Sequence, residues 1–174
     1  RQKAKAYALG IPYGQTPFAL GKTLDISTKE AEVLYNGYLD GFPDLKAWMA
    51  DSKRQAQQNG FVVSETGRVR HLPKVKELYK KHGDQLLNFM YVKGLEKKFG
   101  KDVVKFWVMD YKNGVNNARN FQIQSLGASI VNMAAIAINK KFKEMGLPAW
   151  VALQIHDQLV INAPLSKAEE CAKI

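Results

Sequence analysis

Residues 1–14, RQKAKAYALGIPYG, decide how this chain is read. Residues 1 to 9 are strong helix formers with no breaker, and Gly10 and Pro12-Tyr13-Gly14 end the run. On a helix Arg1, Lys5 and Leu9, spaced four apart, stack on one face. Two cations one turn apart repel each other unless an anion lies over them. A triphosphate is such an anion: Arg offers it a forked contact and Lys a point charge. Leu9 adds an apolar surface one turn on, where a base or sugar could rest. Tyr13 lies beyond the Gly10 break. A solvated basic helix face has the same spacing. The Gly-Ile-Pro-Tyr-Gly turn that follows ties this helix to one sharp exit.

Working outward, Ser27-Thr28-Lys29-Glu30 is a capping box, predicting a helix to about Asp40. Gly41 stops it, and Pro43 suits the first turn of a second helix running to about Gln58. Asn59-Gly60 closes that one. Phe61 to Thr66 reads as a strand, Gly67 as a turn, and Arg68 to Leu72 as the return. The lysine-rich stretch 74–114 with its FWVMDY run fits either a strand or a short apolar helix. From about Asn117 to Glu144 the pattern predicts a long helix, closed by Gly146 and Pro148. Ile123, Leu126, Ile130, Met133 and Ala137 are its expected buried stripe. Ala149 to Ile155 and Gln158 to Asn162 read as a hairpin around His156-Asp157. Ser166 to Glu169 is a second capping box, expected to open a last helix.

Three further clusters carry chemistry. A carboxylate at a hairpin tip, Asp157, is aimed and exposed. That suits a hard cation such as Mg²⁺, which takes oxygen donors and bridges protein carboxylate to phosphate. His-Asp is equally ordinary turn chemistry. On the long helix Asn120, Gln124, Gly127 and Ala128 share a side. Amides beside small residues can donate to the acceptors that every base pair shows in the minor groove, or simply face solvent. Arg68 and Arg70 point the same way on a strand, where they suit phosphate contacts or structural ion pairs alike.

These blocks together resemble the DNA polymerases of family A. RQKAKAYALGIPYG is similar to that family's finger helix: Arg, three residues, Lys, three residues, an aromatic, Gly, two residues, Tyr-Gly. Leu9 departs from the pattern where the family has an aromatic. Gln154-Ile155-His156-Asp157-Gln158 resembles its Gln-Val-His-Asp-Glu hairpin, with Gln158 in place of Glu. Arg119 to Gln124 resembles its Asn, three residues, Gln motif, and residues 66–73 its Gly-Arg-x-Arg-x-x-Pro hairpin. The four blocks keep the family's order.

The resemblance implies roles for residues. Arg1 and Lys5 would bind the phosphates of an incoming dNTP, with Lys5 also a general acid for departing pyrophosphate. Leu9 and Tyr13 would lie against base and sugar. Asp157 would be a catalytic metal ligand, with His156 and Gln154 near the primer terminus. Asn120 and Gln124, with Arg68 and Arg70, would touch DNA. It implies two Mg²⁺ ions in the complete enzyme and primer-template DNA as partner. It also implies an N-terminal portion of the polymerase, in the same or a separate chain, supplying the other catalytic Asp.

Composition agrees with such a partner. The net charge is +10, from 26 Lys and Arg against 16 Asp and Glu, and basic surface gains by releasing counterions from a phosphate backbone. A single cysteine, Cys171, excludes an internal disulfide framework and a cysteine zinc site. His71, His82 and His156 lack metal-type spacing, which argues against zinc at His156. A reducing, cytoplasmic setting in a bacterial or phage-infected cell is expected. No unbroken apolar run approaches the roughly 18 residues of a membrane span, so no membrane partner is expected. Arg1 opens inside a helix-like segment and Ile174 falls inside another, the look of a piece of a larger protein.

The expected fold is therefore α+β, part of a right-hand polymerase: fingers helices over 1–60, with the nucleotide-binding helix at 1–9, and a palm part with an antiparallel hairpin over 61–174. Residues 74–114 look like an insertion of the kind a phage enzyme carries. The expected reaction is template-directed deoxynucleotidyl transfer to a primer 3′-hydroxyl by two-metal catalysis. With one candidate metal carboxylate, these residues alone are expected not to polymerise. A single-subunit phage-type RNA polymerase shares the Arg/Lys…Tyr-Gly helix and the His-Asp hairpin. Asn120…Gln124 and Gly67 to Arg70 favour the DNA enzyme. The remaining alternative is a non-catalytic nucleic-acid-binding piece.

Overall fold

A computed structural model describes residues 2–174; Arg1 and the side chains of Gln2, Lys3, Ala4 and Ala6 lie outside the description. The chain divides into two compact units, Arg1–Val63 with Gly67–Gln122, and Ser64–Thr66 with Ile123–Ile174. The division falls between Gln122 and Ile123, inside the longest helix among the described residues.

The first unit opens with α1 (Gln2–Gly10), α2 (Pro17–Leu24), α3 (Thr28–Gly41) and α4 (Pro43–Asn59). The Ser27 capping box forms as expected: the Ser27 hydroxyl accepts from the Glu30 amide, and the Glu30 carboxylate accepts from the Ser27 amide at 3.0 Å. Helix α2 was missed in the sequence, although Thr16 caps it and Pro17 starts it. Ile11, Leu20, Leu24, Ala31, Leu39 and Met49 form the core between these helices.

After α4, Gly60 takes the left-handed conformation that ends a helix at low cost (φ +75°). It leads into a short antiparallel hairpin, β1 (Phe61–Val63) and β2 (Val69–His71), shorter than the two strands expected. The stretch 74–114 is helical: α5 (Pro73–His82), a 3-10 turn (Gly83–Leu87), α6 (Phe89–Phe99), and the start of α7 (Lys101–Glu144). The expected start of the long helix near Asn117 is corrected to Lys101, and FWVMDY lies in its interior. Its β-branched and aromatic residues disguise a helical stripe. Val104, Tyr111, Val115 and Ala118 recur at helical spacing and are buried, and the last three join Val62, Val75 and Leu86 in a second core.

In the second unit the remainder of α7 is followed by β3 (Trp150–Ile155), β4 (Gln158–Asn162), a 3-10 turn (Leu165–Lys167) and α8 (Ala168–Cys171). Its core is Phe142, Leu147 and Cys171, with Ile138, Ala149, Ile161 and Ala163 against it. The Val151 amide donates to Asn139 Oδ1 at 2.8 Å and ties β3 to α7.

Two expectations are corrected here. The predicted buried stripe on α7 is largely open, with Ile123, Ile130 and Met133 about half exposed. The buried positions between them are Ser125 and Ser129, and Ser129 Oγ lies 3.0 Å from Thr66 Oγ1. A helical repeat shows that a stripe exists; burying it needs an opposing element, and this unit has few. The second capping box does not form either: residues 165–167 wind as a 3-10 turn and α8 has no side-chain cap. By length and composition α7 also contains an 18-residue window apolar enough to cross a membrane (mean hydropathy 1.4), although its apolar residues form no unbroken run of that length. A lone helix of this kind is weak evidence for a bilayer.

The mixed α+β class holds: helices with two two-stranded antiparallel sheets.

Candidate nucleotide and nucleic-acid interface

Helix α1 is clipped onto α3 by two tyrosines. Tyr7 donates its hydroxyl to the Leu34 carbonyl at 2.6 Å, Tyr38 donates to the Ala8 carbonyl at 3.3 Å, and the two rings meet edge to face at 5.1 Å. Burial, and then the neighbouring Tyr38, raise the Tyr7 hydroxyl above its usual range, so it stays a donor. With Tyr7 turned inward and Ile11 fully buried, the face carrying Lys5 and Leu9 is left to solvent. Lys5 is exposed and Leu9 is 49% exposed. Arg1, the third residue of the predicted clamp, lies outside the described residues.

The exit turn is built tightly. The Gly14 amide donates to the Ile11 carbonyl and the Gln15 amide to the Gly10 carbonyl, at 3.0 and 2.8 Å. Gly14 sits at φ +89°, and a Cβ there would lie 2.2 Å from Asn116 Oδ1 on α7. Only glycine meets both demands. Tyr13, next to it, is 39% exposed.

Behind this turn is a cavity of about 250 Å³ that the sequence did not reveal, lined by Gly14, Tyr35, Lys53, Lys112, Asn116 and Arg119 among others. Arg119 donates Nε to the Met49 carbonyl at 3.3 Å, and burial pulls its guanidinium below the usual range. At the cavity's edge Asp84 Oδ1 accepts from Lys53 (2.9 Å), Tyr111 (2.7 Å) and Gln57 (3.0 Å). Burial alone would raise the Asp84 carboxyl; donation from Lys53 and Tyr111, the Lys53 charge and Gln57 outweigh it and hold it below the usual carboxylate range. The signal for Arg119 was present: it follows Val115 by four residues on the same helix.

In the second unit Ile155 pairs with Gln158, so His156 and Asp157 form the tip of the β3–β4 hairpin, as predicted. His156 adopts φ +55°, a left-handed conformation uncommon for a side-chain-bearing residue but enriched in His. Gln154 Nε2 donates to the His156 carbonyl at 3.5 Å. Asp157 is exposed. Its oxygens fit one ligand position of a hard cation. Among the described residues no group of three or more His, Cys, Asp or Glu side chains could hold a metal ion.

Asn120 is half-buried on the first unit's part of α7, and its Oδ1 is buried without a hydrogen-bond partner. Gln124 is exposed on the second unit's part. Arg70 is exposed on β2 opposite Val62; Arg68 is exposed just before that strand begins.

The family model described as DNA polymerase family A matches residues 1–174. The chain is 30% identical to DNA polymerase I of Bacillus caldotenax and 31% to that of Bacillus subtilis (strain 168), each over 174 residues and all of this chain. It spans 17% of the length of each of these relatives. It is similar in structure to the POL domain of Pol1 from M. smegmatis in complex with DNA primer-template and dNTP. There the TM-score is 0.73 and the identity 25%, over 99% of this chain and 25% of that one.

Proposed function

The chain belongs to DNA polymerase family A, and from that premise we propose that it forms the nucleotide-binding and late-carboxylate part of a DNA-directed DNA polymerase. Family A polymerases use divalent metal ions; the ion proposed here is Mg²⁺. The observation that carries the reading is the outward face of α1: Tyr7 and Ile11 turn inward, leaving Lys5 and Leu9 one turn apart in solvent.

The proposed reaction is attack of a primer 3′-hydroxyl on the α-phosphate of a dNTP. A new P–O bond forms, the bond to pyrophosphate breaks, and the hydroxyl proton passes to water. Lys5, with Arg1, binds the β and γ phosphates and stabilises the charge that grows on the leaving group; Lys5 supplies it with a proton. Leu9 and Tyr13 bear on the base and sugar. Asp157 is one metal ligand, and His156 and Gln154 approach the primer end. Asp157 would help to hold Mg²⁺, which would supply positive charge to the reacting phosphate. Asn120 and Gln124 probe minor-groove acceptors. Arg68 and Arg70 are proposed phosphate contacts.

Two metal ions need more than one carboxylate, so residues 1–174 by themselves are proposed not to extend a primer. The remaining portion of the polymerase, in the same chain or another, is the required partner. The test is primer extension by the assembled enzyme with Asp157→Ala. Losing several kcal/mol of charge stabilisation lowers turnover by about a hundredfold or more. Unchanged extension would mean the motifs are relics in a nucleic-acid-binding piece. Comparing dNTP with NTP use separates a DNA from an RNA polymerase.

A further inference from the structure

The β1–β2 hairpin has an open side that the proposed reaction does not use. Phe61 and His71 stand directly opposite each other in the ladder, with ring centroids 6.3 Å apart and planes tilted by 58°. Strand alternation puts Val63 and Val69, the pair at the other end, on that same side and Val62 on the other. Val62 is fully buried; Phe61, Val63, Val69 and His71 are exposed. An aromatic sheet face left open is a stacking platform.

Helix α5 begins two residues after His71 and brings Lys76 and Lys80 alongside. With Phe61, His71, Gly60 and Glu77 they line a groove of about 600 Å³, within the usual size of a small-ligand site (about 300–1,000 Å³). The Lys76 stem lies across Gly60, where a Cβ would come within 3.1 Å of Lys76 Cδ, so the stem is held along the groove. Lys76 and Lys80 are one helical turn apart. Among the described residues neither has a carboxylate partner. Glu77, the groove's acid, is occupied by Lys81 at 2.6 Å. Paired like charges at this spacing are unfavourable, and an anion over them reverses the sign.

We propose that this groove binds single-stranded DNA, one base stacked against the Phe61 and His71 rings and the flanking phosphates on Lys76 and Lys80. The rings select a ligand with a π face and the lysines a polyanion, and a single strand offers both at once. A duplex hides its base faces. Inorganic phosphate has no use for the rings, nor has an acidic peptide. The choice of DNA over RNA rests on the polymerase reading; the site itself does not.

The test is fluorescence anisotropy of a labelled fifteen-residue oligo(dT) with the 174-residue chain, titrated across salt. Phe61→Ala is expected to weaken binding by about 5- to 150-fold, the range for loss of one stacked base. The double variant Lys76→Ala, Lys80→Ala is expected to weaken binding and lower the salt slope by about 1.4, two single-strand phosphate contacts. Both lysines are exposed, so this variant reads the site even where Phe61→Ala perturbs folding. Unchanged affinity and slope in the lysine variant overturn the proposal. So does displacement of the oligonucleotide by poly-glutamate together with no effect of Phe61→Ala, which would mark an acidic protein partner. Asp157→Ala separates the two readings. Lost extension with unchanged oligo(dT) binding by the lysine variant sinks the groove alone. Retained extension with weakened binding sinks the polymerase reading alone.

Discussion

Asn116 fills the space above Gly14: its Oδ1 stands 2.2 Å from where a Gly14 Cβ would be. The turn after α1 is thereby locked against α7, and Tyr13 is fixed one residue from that contact. The first prediction concerns this lock. Gly14→Ala meets both the clash and the strain of φ +89°, costing about 1–3 kcal/mol for the backbone alone. Adding Asn116→Ala should relieve the clash and leave the φ penalty. Urea midpoints of the single and double variants measure the two parts; a fully restored midpoint would show that backbone strain contributes nothing.

Asp84 makes stability depend on acid. Its carboxyl is held below the usual range despite burial, chiefly by donation from Lys53 and Tyr111. A depressed folded-state pKa means that its contribution is complete above the unfolded value, about 3.9 for Asp. The contribution is then lost as pH falls through the lower folded value. Unfolding midpoints should therefore drop below about pH 4, and Asp84→Asn should flatten that limb while lowering stability at pH 7. An unaltered acid limb in the variant would refute the assignment.

Tyr111 is the member of the same network with most to lose. It is fully buried, donates to Asp84 and accepts from Gln57 at 2.6 Å. Burial and then Asp84 push its hydroxyl well above the usual range. Tyr111→Phe removes a donor from a part-buried carboxylate and should cost about 1–3 kcal/mol. Equilibrium denaturation reads this directly.

Leu9 stands at the aromatic position of the finger pattern that residues 1–14 resemble, and it is 49% exposed. Leu9→Phe has room to fit and should leave stability within about 0.5 kcal/mol. Under the proposed function it adds a ring beside the incoming base, lowering the KM for dNTP several-fold, toward the ~1–3 kcal/mol range of a stacked base. Steady-state kinetics of the assembled enzyme measure it; an unchanged KM would move the base away from this side chain.

The open stripe of α7 predicts a null effect that a buried stripe would not. Ile130→Gln and Met133→Gln change side chains that are 54% and 55% exposed. Each should shift the chain's own stability by less than about 0.5 kcal/mol. Losses of about 2 kcal/mol or more, the scale of core truncation, would restore the sequence-based expectation.

The sequence by itself determined the features that depend on a few neighbouring residues. The Ser27–Glu30 box forms because a hydroxyl and a carboxylate three residues apart satisfy each other's amides. Gly60 ends α4 because it can turn left-handed, and the two apolar runs around His156-Asp157 pair because the turn sets their register. The shared face of Lys5 and Leu9 was written in helical spacing. Tertiary structure alone decided which apolar faces are covered. The same periodicity produces the buried stripe Val104–Tyr111–Val115–Ala118 and the open one Ile123–Ile130–Met133; only the elements opposite them differ. It also decided that Ser166 does not cap, that Arg119 meets Lys53 and Lys112 around one cavity, and that Lys76 and Lys80 border the Phe61–His71 rings. Local hydrogen bonding acts over a few residues and can be read along the chain. Burial and charge proximity act through space, between residues whose separation along the chain says nothing of their distance.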